Sequence, residues 1–184
     1  MNNLKSVLQD DFHRYGGKRP LLKDWLLCNE SWYIWHYIYH LRCVEYYQDK
    51  GIMFKPFYLY HFFKYKHLGF KLHFTIYPHS VGPGFRIYHV GGFTHVGKNV
   101  RIGKNCTMLP GVVFGNKTEA DDDRPVIVGD NCYFGLDAKI LGPVRIGNNV
   151  TIGANAVVTK DIPDNVVVGG APAKIIKYKG KNEN

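Results

Sequence analysis

From Val96 onward an apolar residue returns every six positions, and this period constrains the fold more than any other feature of the 184-residue chain. The series runs Val96, Ile102, Met108, Phe114, then Val128, Phe134, Ile140, Ile146, Ile152 and Val158. Glycine follows at Gly97, Gly103, Gly115, Gly129, Gly135, Gly147 and Gly153. Two positions earlier stands a small or β-branched residue: Thr94, Val100, Cys106, Val112, Val126, Cys132, Ala138, Val144, Val150 and Ala156. Val81-Gly82 and Ile87 carry the register backwards. Six is not the helical period. It fits a parallel coil in which each hexad makes one short strand and one turn, and three hexads close a triangle. Residues two apart on a strand share a face, so both members of each hexad point into the coil. Asn99, Asn105, Asn131 and Asn149 suit its tight corners. The chain therefore reads as mainly β, a left-handed parallel β-helix with a small N-terminal α-helical layer.

The layer is legible in a change of apolar grammar near residue 70, since 18 of the 27 aromatic residues precede it. Leu4, Val7, Leu8 and Phe12 repeat at helical spacing until Tyr15-Gly16-Gly17, and a second helix is expected from about Leu21 to Leu27. Asn29-Glu30-Ser31 reads as a break. Trp32, Trp35, Tyr39 and Cys43 mark a third helix from about Trp32 to Gln48, and Pro56 opens a fourth over roughly Phe57 to His67. The expected organisation is a helical region 1–70, a β-helix 71–168 and a C-terminal tail 169–184. An open coil exposes strand edges, so the helices are expected to cover one end and the segment after Val158 the other.

Composition narrows the function. At 45% hydrophobic residues, the chain as a whole is not disordered. Lys+Arg 24 against Asp+Glu 15 gives +9, which favours nucleic acid, a phosphorylated cofactor or an acidic membrane surface. The basic residues are spread over both halves apart from Lys174, Lys177, Lys179 and Lys181, which read as a solvated end, so no nucleic-acid partner is expected. Polar residues interrupt every apolar stretch before about 18 residues, so neither a spanning helix nor a secretory leader is readable and a cytoplasmic protein is expected. Cys106 and Cys132 occupy inward positions and read as buried core thiols, and the four cysteines show no C-x-x-C spacing.

A scaffold's interruptions are where function is sought. Ile87 to Val96 is three residues too long, around Tyr88-His89-Val90-Gly91-Gly92, and Phe114 to Val128 is eight too long, in the polar stretch Asn116 to Pro125. His89 suits a general base, because imidazole titrates near neutrality, and the paired glycines allow a close approach and amide donors for an oxyanion. On spacing alone, a surface histidine in a turn is the commoner outcome, and the acidic loop is more often solvated than a metal site.

These residues resemble a family. The hexads, Ile87 to Gly92, Ala138-Lys139-Ile140-Leu141-Gly142, and the ending Thr159 to Pro163 through Gly169-Gly170-Ala171-Pro172-Ala173-Lys174 are similar to the hexapeptide-repeat acyltransferases, nearest the serine acetyltransferase-like branch. Asp10 to Gly17 is similar to a segment preceding such domains in shorter, glycan-associated members. The resemblance implies acetyl transfer from acetyl-CoA to a hydroxyl in a homotrimer with sites between neighbouring prisms. His89 matches the general base, and Gly91, Gly92 and Gly115 would offer backbone to the acyl region. Asp122, Asp123 and Arg124 would meet the acceptor. The coenzyme would touch Gly135, Gly153 and Ala154, with Thr159, Lys160 and Lys174 near its distal part, where cationic lysines suit phosphates. No metal site is expected.

The serine-specific pattern is not fully kept. Serine enzymes resemble D-I-H-P where this chain has Thr75-Ile76-Tyr77-Pro78, an acid where it has Tyr88, and a second histidine where it has Arg124. The carboxylate that orients the imidazole is thus absent from its usual place, and Asp122 or Asp123 of a neighbouring chain, or a backbone carbonyl, is expected to hold the ring. The expected acceptor is a sugar hydroxyl or surface-glycan precursor, with L-serine as runner-up. The aromatic first part also suits a lipid-linked glycan at a membrane, although packing on the coil's end or between subunits is the preferred reading. Two readings of other classes are a zinc hydratase through His89 and His95, which lacks a third downstream histidine, and a non-catalytic scaffold.

Overall fold

The computed structural model describes residues 3–17, 20–118 and 125–180. Among them, helices α1 Leu4–Arg14, α2 Leu22–Leu26, α3 Glu30–Tyr47 and α4 Lys55–Leu72 come first, a short 3-10 turn at Ile52–Phe54 leading into α4. All four expected helices are present, with shifted ends. The Asn29 side chain accepts the backbone N–H of Ser31 and caps α3, so the expected break is that helix's start. Proline stands in the first turn of α4, which runs on past His67 and stops at His73, in the left-handed region at φ 59°.

The rest winds through short strands: β1 Phe74–Ile76, β2 Arg86–Ile87, β3 Thr94–Val96, β4 Val100–Ile102, β5 Thr107–Met108, β6 Val113–Asn116, β7 Val126–Val128, β8 Tyr133–Phe134, β9 Lys139–Gly142, β10 Val144–Ile146, β11 Thr151–Ile152, β12 Val157–Val158, β13 Val166–Gly169 and β14 Lys174–Tyr178. They form three sheets, ordered β1-β3-β6-β9-β12, β4-β7-β10 and β2-β5-β8-β11-β13-β14. Successive coils stack in parallel, the antiparallel β13–β14 pair excepted. Three hexads per coil require stacked partners eighteen residues apart, and Phe134 pairs with Ile152, Ile140 with Val158 and Val128 with Ile146. Across the long interruption the step is twenty-six, as in Met108 with Phe134 and Phe114 with Ile140. Around His89 it is twenty-one, from Ile87 to Met108. The strands on either side of each excess stay in register with their neighbours.

Every residue of the six-residue apolar series is at most 5% exposed, and every small residue two before it at most 2%. Burial on this scale is the main force holding the coil. Corners stack backbone on backbone: a Cβ at Gly103 would sit 2.6 Å from the carbonyl oxygen of Gly129, which explains glycine there by close approach alone. Asn105, Asn131 and Asn149 take left-handed φ of 54–58° as expected of corner residues, whereas Asn99 is not among them. Cys106 and Cys132 are buried and unbridged.

The helical layer is bolted to the first coil by the motif read at Asp10 to Gly17. Asp11, fully buried, accepts from Arg42 Nε at 2.8 Å and from the Phe85 N–H at 3.1 Å. Burial pushes the Asp11 carboxyl above its usual range, with Arg42 pulling the other way. Arg42 also donates to the carbonyls of Val81 and Gly82, and Arg14 to those of Gly84 and Asn105 and to Thr107 Oγ1. Tyr15 accepts from the Ile87 N–H. On the outermost strand, β1, the Tyr37 hydroxyl accepts from the Ile76 N–H and Tyr65 donates to the Ile76 carbonyl. The exposed end of the stack is thereby satisfied by side chains. At the other end the segment read as a tail, 169–184, is corrected in part: Lys174–Tyr178 is strand β14, returning antiparallel on β13.

Candidate active site

The site starts where β2 ends. The Tyr88 N–H still donates to the Met108 carbonyl, and the next residue, His89, leaves the coil with φ at 62°. A non-glycine residue in this region is uncommon and marks a turn fixed by its surroundings. Gly92, also at φ 62°, lies so close to the next corner that a Cβ would come 3.1 Å from Gly111 Cα. The loop thus presents the imidazole outward, its side chain 67% exposed.

The ring is held by a residue of the stretch Asn29-Glu30-Ser31, expected to be a helix break. Glu30 is the first residue of α3, placed by the Asn29 cap, and its Oε1 lies 2.6 Å from His89 Nδ1. Its other oxygen accepts the Val90 N–H at 3.1 Å. A carboxylate can only accept, so Nδ1 carries the proton and Nε2 is left with the lone pair. Within the chain the orienting group is thus Glu30 rather than a backbone carbonyl, while the Asp122 or Asp123 of a neighbouring chain that was also expected lies outside the described residues. Nothing local announced Glu30, because it is fifty-nine residues from its partner and meets it only when α3 docks on the first coil.

His89 opens on a cleft of about 470 Å³ that also takes in Gly91, Gly92, Leu109, Pro110, Gly111, Leu136 and Asp137. Lys139 props its floor, donating to the Gly111 carbonyl at 2.6 Å and the Asp137 carbonyl at 3.0 Å. Lys139, Gly111 and Glu30 were not singled out as site residues. A larger cleft of about 900 Å³ between α1 and α3 contains no coil residue and lies away from His89.

The other expected site residues fall on two corners. Tyr88, Leu109, Gly135 and Gly153 donate in turn to Met108, Phe134, Ile152 and Val168, so they form one column. Gly135 and Gly153, with Ala154 beside them, therefore share the corner that carries His89. Successive strands lie about 4.8 Å apart, which puts Gly153 about 14 Å along the column. Lys174, paired with Gly169, continues it. Gly115 and Thr159 belong to a different corner: Gly115 pairs with Leu141, and Thr159 and Lys160 follow Val158, the partner of Ile140. The structure does not bring these three to His89 within one chain. Asp122, Asp123 and Arg124 lie outside the described residues.

His95, the other ligand of the zinc reading, stacks on Phe93 with ring centroids 5.8 Å apart while His89 turns to Glu30. Burial pushes the His95 pKa down. Among the described residues no three of His, Cys, Asp and Glu converge as a metal set.

Comparison with known proteins agrees with this architecture. A family model described as the hexapeptide repeat of succinyl-transferase matches residues 94–118, 125–160 and 143–170. A serine acetyltransferase from Mycobacterium tuberculosis is 38% identical over 102 residues, 55% of this chain and 44% of that protein, so the match spans less than half of the relative's length. The crystal structure of Neisseria gonorrhoeae serine acetyltransferase superposes with a TM-score of 0.74 at 26% identity, covering 97% of this chain and 68% of that one. The same enzyme in complex with serine gives 0.65, again at 26% identity, covering 93% and 68%. In its six-residue repeats and stacked parallel coils, and by these relatives, the chain is similar to the hexapeptide-repeat acyltransferases, serine acetyltransferases among them.

Proposed function

We propose that this protein transfers an acetyl group from acetyl-CoA to a hydroxyl, with His89 as general base. The observation that carries the reading is an imidazole held by Glu30 at the mouth of a cleft walled by Gly91-Gly92 and Pro110-Gly111. His89 Nε2 takes the hydroxyl proton as the oxygen attacks the thioester carbonyl, and backbone amides of the cleft, Gly91 and Gly92 among them, steady the tetrahedral oxyanion. Collapse breaks the C–S bond, and the imidazolium returns its proton to the departing thiolate. Glu30 keeps the ring in the tautomer this exchange requires.

The proposal includes a left-handed coil and a homotrimer. The cleft is open to solvent, and Gly115, Thr159 and Lys160 sit on a different corner from His89, so coenzyme contacts from both corners meet only across a protomer boundary. Gly135, Gly153, Ala154 and Lys174 would follow the coenzyme along the corner of His89. For the acceptor, the relatives' names and the serine complex support L-serine more strongly than the sugar hydroxyl. The sugar reading is kept because Tyr88, whose ring lies 3.9 Å from the Arg86 guanidinium, stands where serine enzymes carry an acid.

The test is thiol release from acetyl-CoA with a panel of L-serine and sugars, the purified chain being compared with His89→Ala. Acceptor-dependent release is expected, falling at least ~100-fold in the variant. Unchanged turnover would remove His89 from the mechanism. Serine acetylation without sugar activity assigns L-serine, and the reverse assigns a sugar.

A further inference from the structure

One outer face remains without a role. Along α4, His61, Tyr65, Leu68 and Leu72 face the interior, while the opposite side carries Leu59, Phe63 and Phe70 in one stripe with Tyr60 beside it. Phe63 is 67% exposed and Phe70 86%, and in the preceding turn Ile52 is 80% and Met53 84% exposed. Side chains this large and this bare along 18 residues, about 27 Å of helix, mark a contact surface rather than scattered surface apolars.

Charge says what contacts it. From Lys50 to His73 the chain carries five lysines, Lys50, Lys55, Lys64, Lys66 and Lys71, and no acidic residue. Each lies over an aromatic ring, as Lys64 over Tyr60 at 6.0 Å and Lys71 over Tyr33 at 4.3 Å. A second copy of the same face would set lysine against lysine with no carboxylate between them, which disfavours self-association there. Apolar rings edged by cations match an anionic lipid surface, where rings sink to headgroup depth and lysines reach phosphate. No helix among the described residues is long and apolar enough to cross a membrane, which leaves a helix lying on the surface.

We propose that α4 and the turn Ile52–Phe54 dock the protein on anionic phospholipid. The inner end of this face adjoins the active-site loop, since Phe70 shares a hollow with Phe93, four residues beyond His89. Docking stands apart from acetyl transfer, so either property can fail without the other.

The experiment is co-sedimentation of the full chain with vesicles of phosphatidylcholine alone or mixed with phosphatidylglycerol, over a salt series. Binding to the mixed vesicles only, weakening with salt, is expected. Lys64→Glu and Lys66→Glu should each weaken it about fivefold or more, and Phe63→Ser with Phe70→Ser should abolish it. These positions are exposed, so the variants keep their fold, checked by unchanged thermal unfolding and thiol release. Equal recovery with both vesicle types, no binding, or variants that bind as the parent does would overturn the proposal. So would variants that change only the oligomeric state, which would make the face a protein contact.

Discussion

Glu30 and His89 form an ion-pairable couple in the open, 38% and 67% exposed, and such a couple adds little to stability. Its value lies in direction. One carboxylate accepts two hydrogen bonds, from Nδ1 and from the Val90 amide, and so fixes both the ring and the turn that bears it. Glu30→Gln is therefore expected to leave thermal unfolding within about 1 kcal/mol of the parent. It should lower kcat at least ~10-fold, leave KM for acetyl-CoA nearly unchanged, and be partly rescued by Glu30→Asp. Equal loss in kcat and melting temperature would make Glu30 a structural residue. His89 was readable because its anomaly is local: an imidazole in a glycine turn where a regular repeat slips. Glu30 was not, since an acid at a helix N-terminus is accounted for by the helix dipole alone.

At the scale of elements, α3 and α4 meet through a pair of buried histidines. His40 Nδ1 and His61 Nδ1 lie 2.8 Å apart, so they share one proton. Burial, then the neighbouring His61, His36 and Lys64, holds His40 down to about 3, and burial lowers His61. The unfolded chain takes up protons below about 6.5 that the folded pair refuses. The pair's contribution is therefore intact above that pH and is lost as the pH falls toward about 3. Thermal unfolding should show a loss of about 1–2 kcal/mol from near pH 7 to near pH 5, roughly 3–6 °C. The double variant His40→Phe, His61→Leu should lose less over the same span, and an equal loss would place the acid sensitivity elsewhere. Helix existence was legible from spacing, whereas this pairing depends on how two helices cross. Strand β14 was missed for a related reason: Lys174 to Tyr178 is exposed throughout and shows no alternation of burial.

For the molecule as a whole, the six-residue period was enough to place the inward side chains from Thr94 to Val158, because each coil repeats the same environment and registers only with its neighbours. Phe134 is fully buried at the middle of the stack, against Phe114 with ring centroids 5.4 Å apart. Phe134→Ala should cost about 3–5 kcal/mol in chemical denaturation. A cost below about 1 kcal/mol would contradict the packed interior. What the period could not supply is everything set from outside the coil: the α3 carboxylate, the cap on the first strand and the face of α4. The step of twenty-six residues between Phe114 and Ile140 has a further consequence, because both strands keep perfect alignment despite the detour. Pairing between coils, not the number of residues separating them along the chain, sets that alignment, so the shaft tolerates a change in the count between Phe114 and Ile140 without retuning.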